Sequence, residues 1–264
     1  MRRLLCLLLL PLLPFAARAG TALTATQPSA PSAPLPLRVC IFDHPFPPLT
    51  YPDGSGQVQE LMRRGARGLP LALSSAVMPR NECIARLRDG ELDAMLAAFL
   101  PERLNFSAFP MQGDGPDRSA ALAELAIMVF KPHDSPLGWN GQQFLDLGRQ
   151  PVGTEPGFLH VLKLRQLGVV VDESGSSVEH NMAKLVQHKV AAVLAQQGEG
   201  ALVVRTSYRG QIEMLAQPFL VTPMYLAFNK GYYQQHRAVL DSYWAALRQQ
   251  RQSPAFQQYL RAHP

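Results

Sequence analysis

Residues 84–97 and 182–195 align without a gap, and this internal repeat limits the folds open to the chain more than any other feature. Ala85 meets Ala183, Leu87 meets Leu185, Ala94 meets Ala192, Leu96 meets Leu194, and Arg86 meets Lys184. Each copy combines an amphipathic helix, a turn and a run of small apolar residues suited to a buried strand. Such a unit cannot bury its own apolar face, so it needs a sheet to lie against. Two copies this far apart predict two lobes of one α/β architecture; the competing reading is chance similarity between two amphipathic units.

The surrounding pattern alternates in the same way. Residues 37–42 and 71–77 are short apolar runs expected as buried strands, with a helix over 58–66 stopped near Gly68 and Pro70. Asn81 is placed to cap a helix that runs to Asp89 and ends at Gly90, and 91–98 returns as a strand. Ser176 with Glu179 offers a capping box ahead of the second copy. Strands alternating with helices of about ten residues argue for a mostly parallel sheet with crossover helices. Two long extended runs, 122–131 and 222–230, stand where a chain would cross into a second lobe and back. Residues 232–249 are strongly helical, and Pro254 can begin a last helix through Arg261. The expected lobes are 36–121 with 223–264, and 122–222, joined by a two-strand hinge.

Residues 1–19 have the order of an export signal: Arg2 and Arg3, an apolar run over 4–13 broken by Pro11 and Pro14, then Ala17-Arg18-Ala19. The run is short for a bilayer span, which needs about 20 apolar residues, so cleavage near Ala19 and a periplasmic protein are expected. Cys6 stands too early for a lipoprotein cysteine. Residues 20–35 are rich in Thr, Ala, Ser and Pro and form an expected flexible leader. Loss of Arg2, Arg3 and Arg18 lowers the net charge from +5 to +2. That near balance, without a basic stripe, argues against nucleic acid as a partner. Cys40 and Cys83 survive cleavage, and an even pair in an oxidising compartment is expected to bridge, the alternative being two buried thiols.

No phosphate-binding glycine loop, dinucleotide fingerprint or zinc-type cysteine cluster occurs, and the seven histidines are scattered. No metal or cofactor is expected, and His180 and His188 are too far apart to suggest one. Ser107 and Ser135 lack a nucleophile-elbow setting, so no catalytic residue is assigned. Tyr232, Tyr233, Tyr243 and Trp244 have spacings suited to helix packing, and Trp139 is expected as a packing or surface residue of the second lobe.

Over most of the chain after residue 36, the sequence resembles the family 3 periplasmic solute-binding proteins, which have the type II periplasmic binding fold. The resemblance rests on the strand 37–42 followed by Asp43, Phe46 and Pro48, and on Leu87-x-x-Gly90-x-x-Asp93-Ala94. It continues through Pro101-Glu102-Arg103, Phe106-Ser107, and Val152-Gly153 with Gly157. It implies a monomer that encloses a small, carboxylate-bearing, amino-acid-like ligand between its lobes, with an ABC-type permease as transport partner. Arg103 matches the arginine that grips the ligand carboxylate with its planar fork. Phe46 matches an aromatic that stacks on the ligand, and Asp43 is placed to receive a cationic group.

Several positions depart from the family pattern. Ala97 and Ala98 stand where hydroxyl residues are usual, Phe158 replaces the expected threonine, and Gln196 falls near the acid that holds the ligand amino group. Glu155 can take over from that acid. The anionic end of a ligand is therefore better provided for than the cationic end. Arg80-x-x-Cys83, with Cys40 in the first strand, resembles a pattern of exported relatives that need not serve a transporter. Two other roles stay open: a sensor or interaction module, and a cyclohexadienyl-dehydratase-like enzyme using Glu155 or His160 with Arg103.

Overall fold

In the computed structural model, β1 (Leu35–Phe42), β2 (Leu71–Met78) and β3 (Ala94–Ala98) are laid side by side with the first strand, β1, in the centre. The structure describes residues 33–156 and 158–263. The expected export signal, Cys6, most of the leader, and Gly157 lie outside the described residues. Residues 34–264 form one compact unit.

Helix α1 (Gln57–Ala66) connects β1 to β2, and α2 (Arg80–Asp89) connects β2 to β3. Pairing is parallel throughout, with Cys40 opposite Ala76 on one side and Met95 on the other. The short β4 (Ser107–Ala108) and the hairpin β5 (Met111–Gln112) and β6 (Gly115–Pro116) lead to the long β7 (Ala123–Pro132). A small hairpin comes next, β8 (Gly138–Trp139) with β9 (Phe144–Leu145).

The second half repeats the first. Strand β10 (Val152–Gly153), α3 (Leu159–Gln166), β11 (Val171–Asp172), α4 (Val178–Val186) and β12 (Ala192–Gln196) reproduce the central-strand pattern, with β10 between β11 and β12. Helix α5 (Gln197–Ser207), β13 (Ile212–Met214) and the long β14 (Leu220–Asn229) carry the chain back. Helices α6 (Lys230–Gln252) and α7 (Pro254–Ala262) close the first half.

Strands β7 and β14 run antiparallel to each other through the middle of one continuous sheet, ordered β11-β10-β12-β7-β14-β3-β1-β2. Strand β7 pairs with β12, and β14 pairs with β3. Alternation along β7 divides its side chains between two cores: Ile127 and Val129 enter the larger cluster, whereas Met128 and Phe130 enter a smaller one with Met182, Leu185 and Val193. Each fully buried side chain of this size stabilises the fold by about 1.5–3 kcal/mol. In the first half, Tyr243 donates to the Met62 carbonyl at 2.9 Å and the Trp244 indole to the Leu226 carbonyl at 2.9 Å, so both rings bury with their polar atoms satisfied. Trp139 is packing too: it is buried against Phe144 and Phe219 and donates to the Pro218 carbonyl at 3.1 Å.

The repeat holds at the level of single residues. Val39 opposes Ala94, and Val152 opposes Ala192, the same register one repeat later. The turn between helix and strand needs a left-handed residue in both copies, supplied by Gly90 (φ 79°) and His188 (φ 53°). Glycine takes that conformation freely, whereas a side chain costs about 1–2 kcal/mol there.

Two expected caps move. Pro79, not Asn81, precedes α2, and no side chain caps it. Ser177, not Ser176, caps α4 by accepting from the His180 amide at 3.1 Å. Cys40 and Cys83 are bonded, tying the centre of β1 to the first turn of α2. Among the described residues no helix is long and apolar enough to cross a membrane.

Candidate functional site

The carboxyl ends of β1 and β3 open onto a cleft roofed by the loop after β10, where strands of an open α/β sheet present their ligand sites. Its floor is the middle of the two long strands, with Leu125 and Ile127 from β7 and Leu220, Thr222 and Met224 from β14. The first half contributes Phe42, Phe46, Arg80, Met95, Ala97, Ala98 and Arg103; the second contributes Phe158 and His160. The enclosed space is about 50 Å³, room for a few water molecules. The wall is mostly apolar with a few convergent polar groups, the usual make-up of a small-molecule site.

Arg103 lies in the 3-10 turn Pro101–Asn105 that directly succeeds β3. Its Nη1 donates to the Ala98 carbonyl at 2.8 Å, which fixes the stem and leaves the guanidinium on the cavity wall. Burial pulls its pKa down to about 10, and the charge of Arg80 adds to the effect. Arg80 is the first residue of α2, three before the bridged Cys83, so the disulfide helps hold it at the cleft. Its guanidinium stacks 4.4 Å from the centre of the Phe158 ring, a contact between the two halves. Burial lowers the pKa of Arg80, while Glu155 opposes that effect.

Phe46 is buried and meets Phe42 edge to face, ring centres 5.6 Å apart. Phe158 lies between Arg80 and His160, stacking on the latter at 5.4 Å. His160 is buried and 2.5 Å from the Thr154 hydroxyl through Nε2. Burial, helped by Arg80, depresses its pKa to about 4, so the ring is neutral at physiological pH.

Of the seven residues expected from sequence, Phe46, Ala98, Arg103 and Phe158 share this cavity, whereas Asp43, Glu155 and Gln196 are not on its wall. Asp43 is exposed and pairs with His44 at 3.0 Å. Glu155 is half-buried, and burial raises its pKa against the pull of His44 and Arg80. Gln196 fastens the halves together. Its Nε2 donates to the Pro47 carbonyl at 2.7 Å, and its Oε1 accepts from the Glu199 amide at 2.6 Å, capping α5. Gly198 approaches so closely that a Cβ there would lie 2.4 Å from the Pro47 oxygen.

Phe42 and Glu199 carried no sequence signal as site residues. Arg80 is visible in the sequence only through its spacing to Cys83, and His160 only through the dehydratase-like alternative that pairs it with Arg103. Glu199 stands in the first turn of α5, where burial and the nearby Glu155 push its carboxyl up to about 7.

No protein-family model matches the chain, and no curated protein matches it. Solved structures do. The ligand-binding core of GluR0 from Nostoc punctiforme, in complex with L-glutamate, is 16% identical at a TM-score of 0.61, covering 87% of this chain and 99% of that one. A histidine kinase sensor domain with similarity to periplasmic binding proteins is 16% identical at 0.65, covering 86% and 95%. An ancestral arginine-binding protein bound to arginine is 18% identical at 0.63, covering 86% and 97%. With the repeated half-sheets, the two long crossing strands and the cleft between them, this likeness identifies the architecture: the chain has the two-lobed type II periplasmic-binding-protein fold.

Proposed function

We propose that the protein is an exported solute-binding protein, working in the periplasm as a monomer, that closes two lobes around a small carboxylate-bearing molecule. The lobes comprise residues 36–121 with 223–264, and residues 122–222, and they part and close about β7 and β14. The observation that carries this reading is Arg103: a guanidinium on the wall of an apolar cleft, anchored through the Ala98 carbonyl and desolvated enough to lower its pKa. A buried cation in such a place is stabilised by a carboxylate that meets its fork. Phe46 and Ala98 line the wall beside it, Phe158 closes from the opposite lobe, and Gln196 latches the lobes through Pro47. Asp43 and Glu155 stand off this wall, and Glu155 opposes the effect of burial on Arg80.

Export is supported by the charged, apolar and small-residue order of residues 1–19, and an oxidising compartment by the Cys40–Cys83 bridge. Delivery to an ABC-type permease is the role this arrangement serves best. The likeness to a histidine kinase sensor domain favours one second reading, a sensory module in which another partner reads lobe closure. Both begin with capture of the same ligand.

The test is a thermal-shift screen against amino acids, polyamines and organic acids, followed by calorimetric titration of the hits. A ligand at 100 times its Kd adds about 2.7 kcal/mol, several degrees of Tm for a chain of this size. Arg103→Ala is expected to weaken a carboxylate ligand by about 1.5–3 kcal/mol, the scale of hydrogen bonds to a charge. An affinity unchanged by that substitution would remove Arg103 from the site and the proposal with it.

A further inference from the structure

Resting on that reading of the cleft, we infer that its ligand is a monocarboxylic acid with an apolar body and no ammonium group. The carboxylate meets Arg103 and the body lies on the apolar wall. Arg103 stands in the turn after β3, and its side chain is hydrogen-bonded to a neutral group, the Ala98 carbonyl, at 2.8 Å. Among the described residues it makes no ion pair, and its neighbour Glu102 is exposed and off the cavity wall. Arg80, the other cation on the wall, is engaged within the protein. Phe158 stacks on its guanidinium at 4.4 Å, and the carboxylate of Glu155 acts on its charge. It belongs to the contact between the halves, so Arg103 is the charge that the wall offers to a ligand.

The same wall has nothing to receive an ammonium. Among the described residues no acidic side chain lines the cavity. The Ala98 carbonyl is taken by Arg103, and Nε2 of His160 by the Thr154 hydroxyl. His160 stays neutral above about pH 4, and Thr222 is the one hydroxyl among the lining residues. Ala97, Ala98 and Phe158 present no hydrogen-bonding side chain. A charge moved from water into such surroundings without a partner is strongly disfavoured, and an ammonium would also stand near guanidinium groups of its own sign. A second carboxylate is no better matched, because Arg80 is already in use.

An apolar body, by contrast, gains from this wall. Leu125, Ile127, Leu220 and Met224 of the two crossing strands form the floor, and Phe46 and Phe158 add aromatic surface from opposite halves. Apolar area withdrawn from water stabilises the complex in proportion to its extent. Because that area comes from both halves, an apolar body favours the closed arrangement over the open one. Charge and body thus have separate partners, Arg103 for the first and the strands and rings for the second. An amino acid with the same side chain covers the same apolar area, so a comparison between the two isolates the ammonium.

The deciding experiment titrates the purified protein with two matched sets: isocaproate, L-leucine and isocaproamide, and hydrocinnamate, L-phenylalanine and hydrocinnamamide. In at least one set the monoacid is expected to bind about ten-fold or more tightly than both its amino acid and its amide. Arg103→Gln should bring the monoacid down to the level of the amide, and Arg103→Lys, which keeps the charge, should hold it above. The amide reads the same charge in the unaltered protein, so the test does not depend on the folding of a variant. An amino acid bound as tightly as its monoacid, or more tightly, and weakened by Arg103→Gln would overturn the exclusion of an ammonium and keep the interlobe carboxylate site. Equal binding of acid and amide, binding indifferent to Arg103, or none in either set would overturn both.

Discussion

The two copies of the helix–turn–strand unit share a backbone and divide the chemistry. Helix α2 passes through Gly90 into β3, and α4 passes through His188 into β12, with the same left-handed turn and the same strand register. The segments beyond the two strands differ. Strand β3 ends at the small Ala98, ahead of the turn that carries Arg103; β12 ends at Gln196, which caps α5 and latches the lobes, ahead of Glu199. The first half thus brings cations that stay charged, and the second brings groups that titrate or that fasten. The scaffold repeats up to the strand ends, and from there on the side chains of the two copies differ.

Stability should differ between the copies in the same way, because only the first is cross-linked. Closing a loop across 43 residues is worth about 4 kcal/mol by the chain-entropy relation. Reduction, or replacement of both cysteines by alanine, should lower the denaturation midpoint by an amount of that order. It should also loosen α2 against β1 while amide exchange in α4 and β12 keeps its protection. Uniform loss of protection in both halves would show that the bridge supports the whole fold and not its own copy.

Acid sensitivity should come from the second half. The arginines of the first do not titrate below neutrality, whereas His160 holds its folded pKa near 4 against 6.5 for an unburied ring. Between those values the unfolded chain carries the imidazole proton and the folded one does not, so stability falls as pH falls, by about 3 kcal/mol in all. Glu199 acts in the opposite sense. Its folded carboxyl keeps its proton to about pH 7, so stability declines as pH rises from about 4.5 to 7. The two slopes oppose each other. Glu199→Gln should therefore leave a loss of stability toward acid, and His160→Gln a loss toward neutral pH, read from denaturant midpoints between pH 4 and 7. Superimposable profiles for the three proteins would rule out this balance.

The fold was legible in the sequence because burial writes it in periodicity. The alternating elements, the lobe repeat and the two crossing strands all depend on where apolar residues recur. The helix starts were less legible, since Asn81 and Ser176 have capping chemistry but the backbone turns one or two residues away, at Pro79 and Ser177. The site was legible only in part. Phe46, Ala98, Arg103 and Phe158 lie at or just past strand ends that the pattern marks, and they converge. Arg80 shows itself only through its spacing to Cys83, because its approach to the cleft depends on the length of β2 and on the bridge, neither of which a local pattern encodes. Gln196 looks like a weakened ligand residue, yet its amide spans to Pro47, a contact between residues 149 apart in sequence.

A smaller difference between the copies turns on one backbone amide. The residue before each central-strand pairing is Arg38 in the first copy and Pro151 in the second, and each offers its carbonyl to the equivalent amide, from Asp93 at 3.1 Å and from Ala191 at 2.9 Å. Arg38 has an N–H that needs an acceptor, and the buried Asp93 carboxylate supplies it at 2.7 Å while also pairing with the guanidinium at 2.9 Å. Proline has no N–H, so the second copy has no such need and carries alanine at the matching place. Asp93→Ala should therefore cost about 1–3 kcal/mol, the penalty of an unmet donor, with little of it from the half-exposed ion pair. Arg38→Pro should recover part of that loss by removing the donor, as the second copy already does. If the double variant is no more stable than Asp93→Ala alone, the carboxylate acts through packing or through the guanidinium, and the two copies differ for another reason.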